Sequence, residues 1–166
     1  MAKKATNAQV LLLLRMLDEG FNKSAWHGPN MRGAIRRVDA EQAGWRPYSE
    51  RKSIADHTVH AAYWKYAARR RLTGEKRGSF PLKGSNWFKL EQPLSATAWK
   101  AYVKMADEAH KGLREAVSEL SDRNLTRVTK GAKIDIQRLL YGIALHDVYH
   151  AGQIQLLKRL YASSHA

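Results

Sequence analysis

Cysteine is absent from the 166 residues. That excludes disulfides, thiolate metal ligands and a cysteine nucleophile, and leaves histidine and carboxylate as the strong candidate ligands for any metal. Proline is scarce, with 4 in the chain, and none falls inside the apolar-periodic segments, which can therefore run as unbroken helices. No apolar run approaches the roughly 20 residues of a membrane span. The opening MAKKATNAQVLLLL begins basic and turns apolar, but Arg15, Asp18 and Glu19 follow before any small-residue cleavage site. It reads as a first helix and not a signal peptide. A cytoplasmic protein without a membrane partner is the expectation.

Acidic residues are also few, 15 against 29 Lys and Arg, for a net charge of +14. Such a field attracts nucleic acid, anionic lipid or small anions. The cations are scattered, with only the triplet Arg69 to Arg71 and pairs such as Lys3 and Lys4 standing together, and no zinc-finger, RNP or Gly-rich phosphate motif accompanies them. A solvated basic surface accounts for this pattern. A non-catalytic module that binds DNA or RNA, with its histidines structural, is the rival class.

The length suits one domain, 1–166, able to bury a real core, and 44% hydrophobic content argues for a folded globule. Asn7 or Thr6 can cap a first helix with an apolar stripe at Val10, Leu11, Leu14 and Leu17, ending near Gly20. After the break at Gly28 and Pro29, a short helix over Met31 to Val38 is expected. His27 there reads as an exposed loop residue. Ser53 and Asp56 form a capping box for a second long helix running to about Leu72, with Gly74 beyond its end. Its inward positions are Ile54, His57, Ala61, Trp64, Ala68 and Leu72, with His60 on one flank, and Arg69, Arg70 and Arg71 fall on the exterior. A long loop from Thr73 to Pro93 carries Phe80, Trp87 and Phe88, which form either a wall beside a site or a cover over the bundle end. Ser95 opens a third long helix to about Leu120, on which the lone His110 reads as a core or boundary residue. Asp135 caps the last. The expected fold is all-α, a four-helix bundle with a short extra helix and a long loop between the second and third long helices.

The most specific chemistry lies in YGIALHDVYHAGQIQLLKRL, from Tyr141 to Leu160. His146 and His150 are four apart, which on a helix places them about 6 Å along the axis and roughly 40° around it. Both imidazoles can then reach one point. Each could be a core histidine with one hydrogen bond, but the pair on an apolar stripe points to a shared metal, since neutral imidazole ligates Zn, Ni, Fe or Cu. A zincin-type protease would need glutamate after the first histidine, and that position is Asp147. His57 or His60 is the natural third ligand, and helical angle slightly favours His57.

A bundle with a histidine on its second long helix and the ending HDVYHAGQIQLLKRL resembles the DinB/YfiT-like metalloenzyme superfamily. SIADHTVHAAYWKYAARRRLTG resembles the family's second-helix segment, and GSFPLKGSNWF the loop of one branch. The resemblance implies three histidines around a divalent metal (Zn, Ni or similar) with positions left open for water or substrate. Carried across, the ligands fall on His60, His146 and His150, with His57 the alternative to His60. It also implies a metal-dependent transferase or hydrolase acting on a small-molecule substrate, with a low-molecular-weight thiol as cosubstrate in some members. The basic surface suits a small anionic substrate. Gln153, one turn beyond His150, could orient a ligand as an accessory residue. A homodimeric bundle that only carries metal is a further possibility that dimerisation itself would not separate from an enzyme.

Overall fold

Side-chain caps set where the long helices begin. In the computed structural model, which describes residues 7–166, Ser53 accepts from the Asp56 amide while the Asp56 carboxylate accepts from the Ser53 amide at 2.8 Å. This capping box starts α4 (Ile54–Thr73), which stops at Gly74, whose φ of 77° is the left-handed conformation that glycine adopts freely. Ser95 caps α5 (Ala96–Ser118), and Asp135 caps α6 (Ile136–Ser164) by accepting from the Arg138 amide at 2.7 Å. The first helix, α1 (Ala8–Phe21), is capped differently from expectation. Asn7 makes no side-chain cap, and the Asp122 carboxylate accepts from the Gln9 and Val10 amides instead. The free amides at this end thus meet a carboxylate brought from the far side of the chain; Thr6 lies outside the described residues.

Between α1 and α4 the single short helix expected over Met31 to Val38 is two. Asn30 caps α2 (Met31–Ala34), the chain breaks where Arg37 takes a φ of 60°, and Asp39 caps α3 (Ala40–Gly44) by accepting from the Gln42 amide. A second Asx cap starts a new helix where helical period alone would have continued the old one.

The four long helices close into a bundle in which α4 and α1 each pack on both α5 and α6, while α2 lies on α6 and α3 against α4 and α5. Among the described residues there is no sheet, only an isolated bridge between Val128 and Asp135. The all-α bundle is as expected, with the long loop between α4 and α5. Its core has two apolar halves. Leu13, Leu17, Leu113 and Leu140 centre one, and Ile54, Val59, Trp99 and Ile154 centre the other. Each such buried side chain contributes about 1.5–3 kcal/mol relative to exposure. No helix among the described residues is long and apolar enough to cross a membrane.

The first helix ends at Phe21, near Gly20 as expected, and Gly20 in its last turn is also a close approach, since a Cβ there would stand 2.9 Å from the Ala144 carbonyl oxygen of α6. Alanine at this point is favoured by helix propensity by about 1 kcal/mol, yet it would push two packed backbones apart, typically a 1–3 kcal/mol cost. Gly20→Ala is therefore expected to lower the thermal unfolding midpoint. A variant more stable than the parent would contradict the close packing of α1 on α6.

Candidate metal centre

Helices α4 and α6 run antiparallel at the site, so that His57 meets His150 and His60 meets His146. The His146 Nε2 stands 3.1 Å from His60 Nε2 and 3.0 Å from His150 Nε2. The ligand atoms of these three histidines all lie within 4.8 Å of one another. His60 and His150 are buried and His146 half-buried. Tetrahedral imidazole nitrogens about 2.0–2.1 Å from a zinc ion would stand roughly 3.3 Å apart, close to the spacing found.

Hydrogen bonds on the outer ring atoms decide what those nitrogens offer. His60 Nδ1 donates to the Asn86 carbonyl at 2.9 Å, which leaves the lone pair on Nε2. His150 Nδ1 lies 2.9 Å from His57 Nδ1. When His150 donates there, its Nε2 also presents a lone pair inward. His146 can give a proton to one of its two neighbours but not both, so the cluster cannot satisfy itself, and the buried His146 Nδ1 has no partner. A cation between the three nitrogens satisfies all of them at once, and the donor set fits a divalent metal held by neutral imidazoles.

The surroundings keep the rings neutral. Burial drives the His146 pKa down to about 4, with the neighbouring His60 adding to the effect, and drives His150 down to about 2, with His146 adding. His60 is lowered by burial as well. All three are therefore in the ligand-competent form at neutral pH.

The remaining residues singled out in the sequence separate by place. His57 is drawn inward, as its helical angle implied, but it faces the outer nitrogen of His150 and belongs to a shell around the cluster. Trp87 is a wall: it stacks on His60 with centroids 3.9 Å apart and meets His57 edge-on. Phe80 and Phe88 instead pack on Tyr63 and cover the bundle. His110 is buried, stacked on Phe21 and paired with Asp18, and His27 is exposed. Gln153 lines a neighbouring cavity with His57, not the one that contains the three histidines. Asp147 points away from the cluster into the core, where Lys65 holds it, so it cannot serve as the general base that a zincin places there.

Sequence reading missed Asn86. Its φ of 63° belongs to the left-handed region that asparagine tolerates, which lets its carbonyl reach His60 while its side-chain oxygen accepts from the Trp64 indole at 3.0 Å. The run Gly84-Ser85-Asn86 is a turn signal, but nothing in it says which ring the turn will meet.

A four-helix bundle with a three-histidine cluster at the seam of its second and last long helices defines the class. Residues 25–154 match the model of the DinB superfamily, and the chain belongs to it. No curated protein and no solved structure matches the chain.

Because His57 orients His150 through its outer nitrogen, His57→Phe is expected to weaken zinc binding roughly 10–100-fold. His57→Gln, which retains an acceptor, should recover part of the loss. Competition with a chromophoric chelator measures both; unchanged affinity in the phenylalanine variant would contradict the role.

Proposed function

We propose that the chain is a divalent-metal-dependent enzyme in which His60, His146 and His150 hold the metal and a metal-activated water or low-molecular-weight thiol acts as nucleophile on a small anionic substrate. The reaction class is transfer or hydrolysis. The observation that carries this reading is the convergence of three Nε2 atoms that cannot satisfy one another.

A bound divalent metal supplies a Lewis acid that lowers the pKa of a ligated water or thiol, or polarises a carbonyl. The chain's own residues do the rest. Three histidines leave coordination positions open, as in catalytic and not closed structural sites. The Asn86 carbonyl fixes the tautomer of His60, His57 sets that of His150 when its Nδ1 accepts, and Trp87 lies flat on His60 and covers that face of the ring. The cluster opens to a cavity of about 580 Å³, a size that suits a small molecule. No carboxylate lines that cavity, so the chain offers no neighbouring carboxylate base there and activation of a nucleophile would fall to the bound metal.

The net charge of +14 favours a second reading, a basic module for DNA or RNA with structural histidines. Elemental analysis separates the two. Protein purified without chelator is expected to carry near one divalent ion per chain, and the double variant His146→Ala/His150→Ala almost none, with helical circular dichroism retained. Stoichiometric metal in the double variant would sink the ligand assignment. Metal-free parent protein, even after reconstitution with Zn or Ni, would favour the basic module.

A further inference from the structure

The cavity above the three histidines is asymmetric along its length. The antiparallel register that sets residue 57 against 150 and 60 against 146 also brings Arg71 of α4 and Arg138 of α6 to the same end, and both line the cavity. Arg71, expected on the solvated exterior of its helix, is half-buried here. Its neighbours Arg69 and Arg70 are tied to Glu75. Neither Arg71 nor Arg138 has an ion-pair partner among the described residues. No acidic side chain lines the cavity, and between its two ends the walls are apolar, with Trp64, Leu139 and Ile143. Half-buried Arg71 and exposed Arg138, at one end of an open apolar groove, offer guanidiniums without an acidic partner, and arginine recognises a planar oxyanion by paired hydrogen bonds.

The helical rise gives the reach. Arg71 lies eleven residues beyond His60 and Arg138 eight before His146, or about 12–17 Å along the helix axes. We propose that Arg71 and Arg138 bind the carboxylate of an elongated, apolar-bodied acid whose opposite end reaches the three-histidine centre. This rests on the metal reading above and adds to it the form of the substrate: a head group at the arginines, an apolar spacer, and a reacting end at the metal. A short acid cannot occupy both ends.

Gly142 supplies a clean steric probe. It lines the cavity between Arg138 and His146, and a Cβ placed there meets no atom within 4 Å. The open space at this lining position makes it the place to add a larger side chain as a block.

The test uses the full chain loaded with Co(II), whose charge-transfer absorption reports a thiolate at the metal. The ligands are ω-mercaptooctanoate, its uncharged counterpart ω-mercaptooctanol, and mercaptoacetate. The octanoate is expected to bind about ten-fold or more tighter than the octanol, as hydrogen bonds to a charged group imply. That advantage should vanish in Arg71→Gln/Arg138→Gln, while mercaptoacetate binding is unaffected by the double change. Gly142→Leu should keep its cobalt and mercaptoacetate binding but lose the octanoate. Equal affinity for octanoate and octanol, or an advantage that survives loss of both arginines, overturns the anion site and leaves the metal centre standing. Failure of cobalt to load overturns the metal reading, and this one with it.

Discussion

Lys65 and Asp147 form an ion pair with both side chains wholly removed from solvent. It joins α4 to α6 at the level of the histidine cluster, five residues beyond His60 and one beyond His146. The end of α1 closes over it: the Lys65 ammonium lies 4.7 Å from the centroid of the Phe21 ring, and a Cβ on Gly20 would stand 3.6 Å from the Asp147 Cβ. Burial raises the Asp147 pKa and the Lys65 ammonium opposes the rise, while Asp147 Oδ2 has no partner. Such a pair adds little net stability over a well-packed apolar one, but removing either member leaves an uncompensated charge in the core, a loss of about 3–5 kcal/mol. It fixes Lys65 of α4 against Asp147 of α6, in the register found for the two helices that carry the cluster.

That register has chemical consequences. The alignment that satisfies the buried ion pair also brings three imidazole nitrogens to one point and the outer nitrogens of two of them to His57 and Asn86. Lys65 helps in a second way, because its charge adds to burial in keeping His146 and His150 unprotonated. The loop between α4 and α5 then completes the centre through one backbone carbonyl and one indole, so a segment without regular structure is positioned by the ring it serves.

The helices and most of the cluster were legible from local pattern. Caps at Ser53, Ser95 and Asp135 are short-range signals, and the four-residue step between His146 and His150 is a property of any α-helix. What local pattern could not supply was long-range. The choice between His57 and His60 turned on how the helix faces its partner, which packing sets; both rings are drawn in, and the resemblance to a known family, not the helical angle, pointed to His60. Lys65 sits at a stripe position between Ala61 and Ala68, where a charge conflicts with the pattern, and Asp147 occupies the centre of the buried face of α6. The stripe read from the sequence ran through Trp64 and passed Lys65 by, Asp147 stood out only as the residue where a zincin has glutamate, and neither named the other. The Asp122 cap on α1 and the Asn86 contact with His60 likewise join residues far apart in the chain, and Arg71 looked like solvent-facing charge until the partner helix was placed beside it.

Three neutral imidazoles from two helices are proposed to share one metal. X-ray absorption spectroscopy of the zinc- or nickel-loaded protein tests it most directly. Three imidazole nitrogens are expected at about 2.0–2.1 Å with at least one further light-atom ligand that the chain does not supply, and one fewer imidazole when His60 is replaced by alanine. A loaded metal with no imidazole scattering, or a His60→Ala spectrum identical to that of the parent, would contradict it.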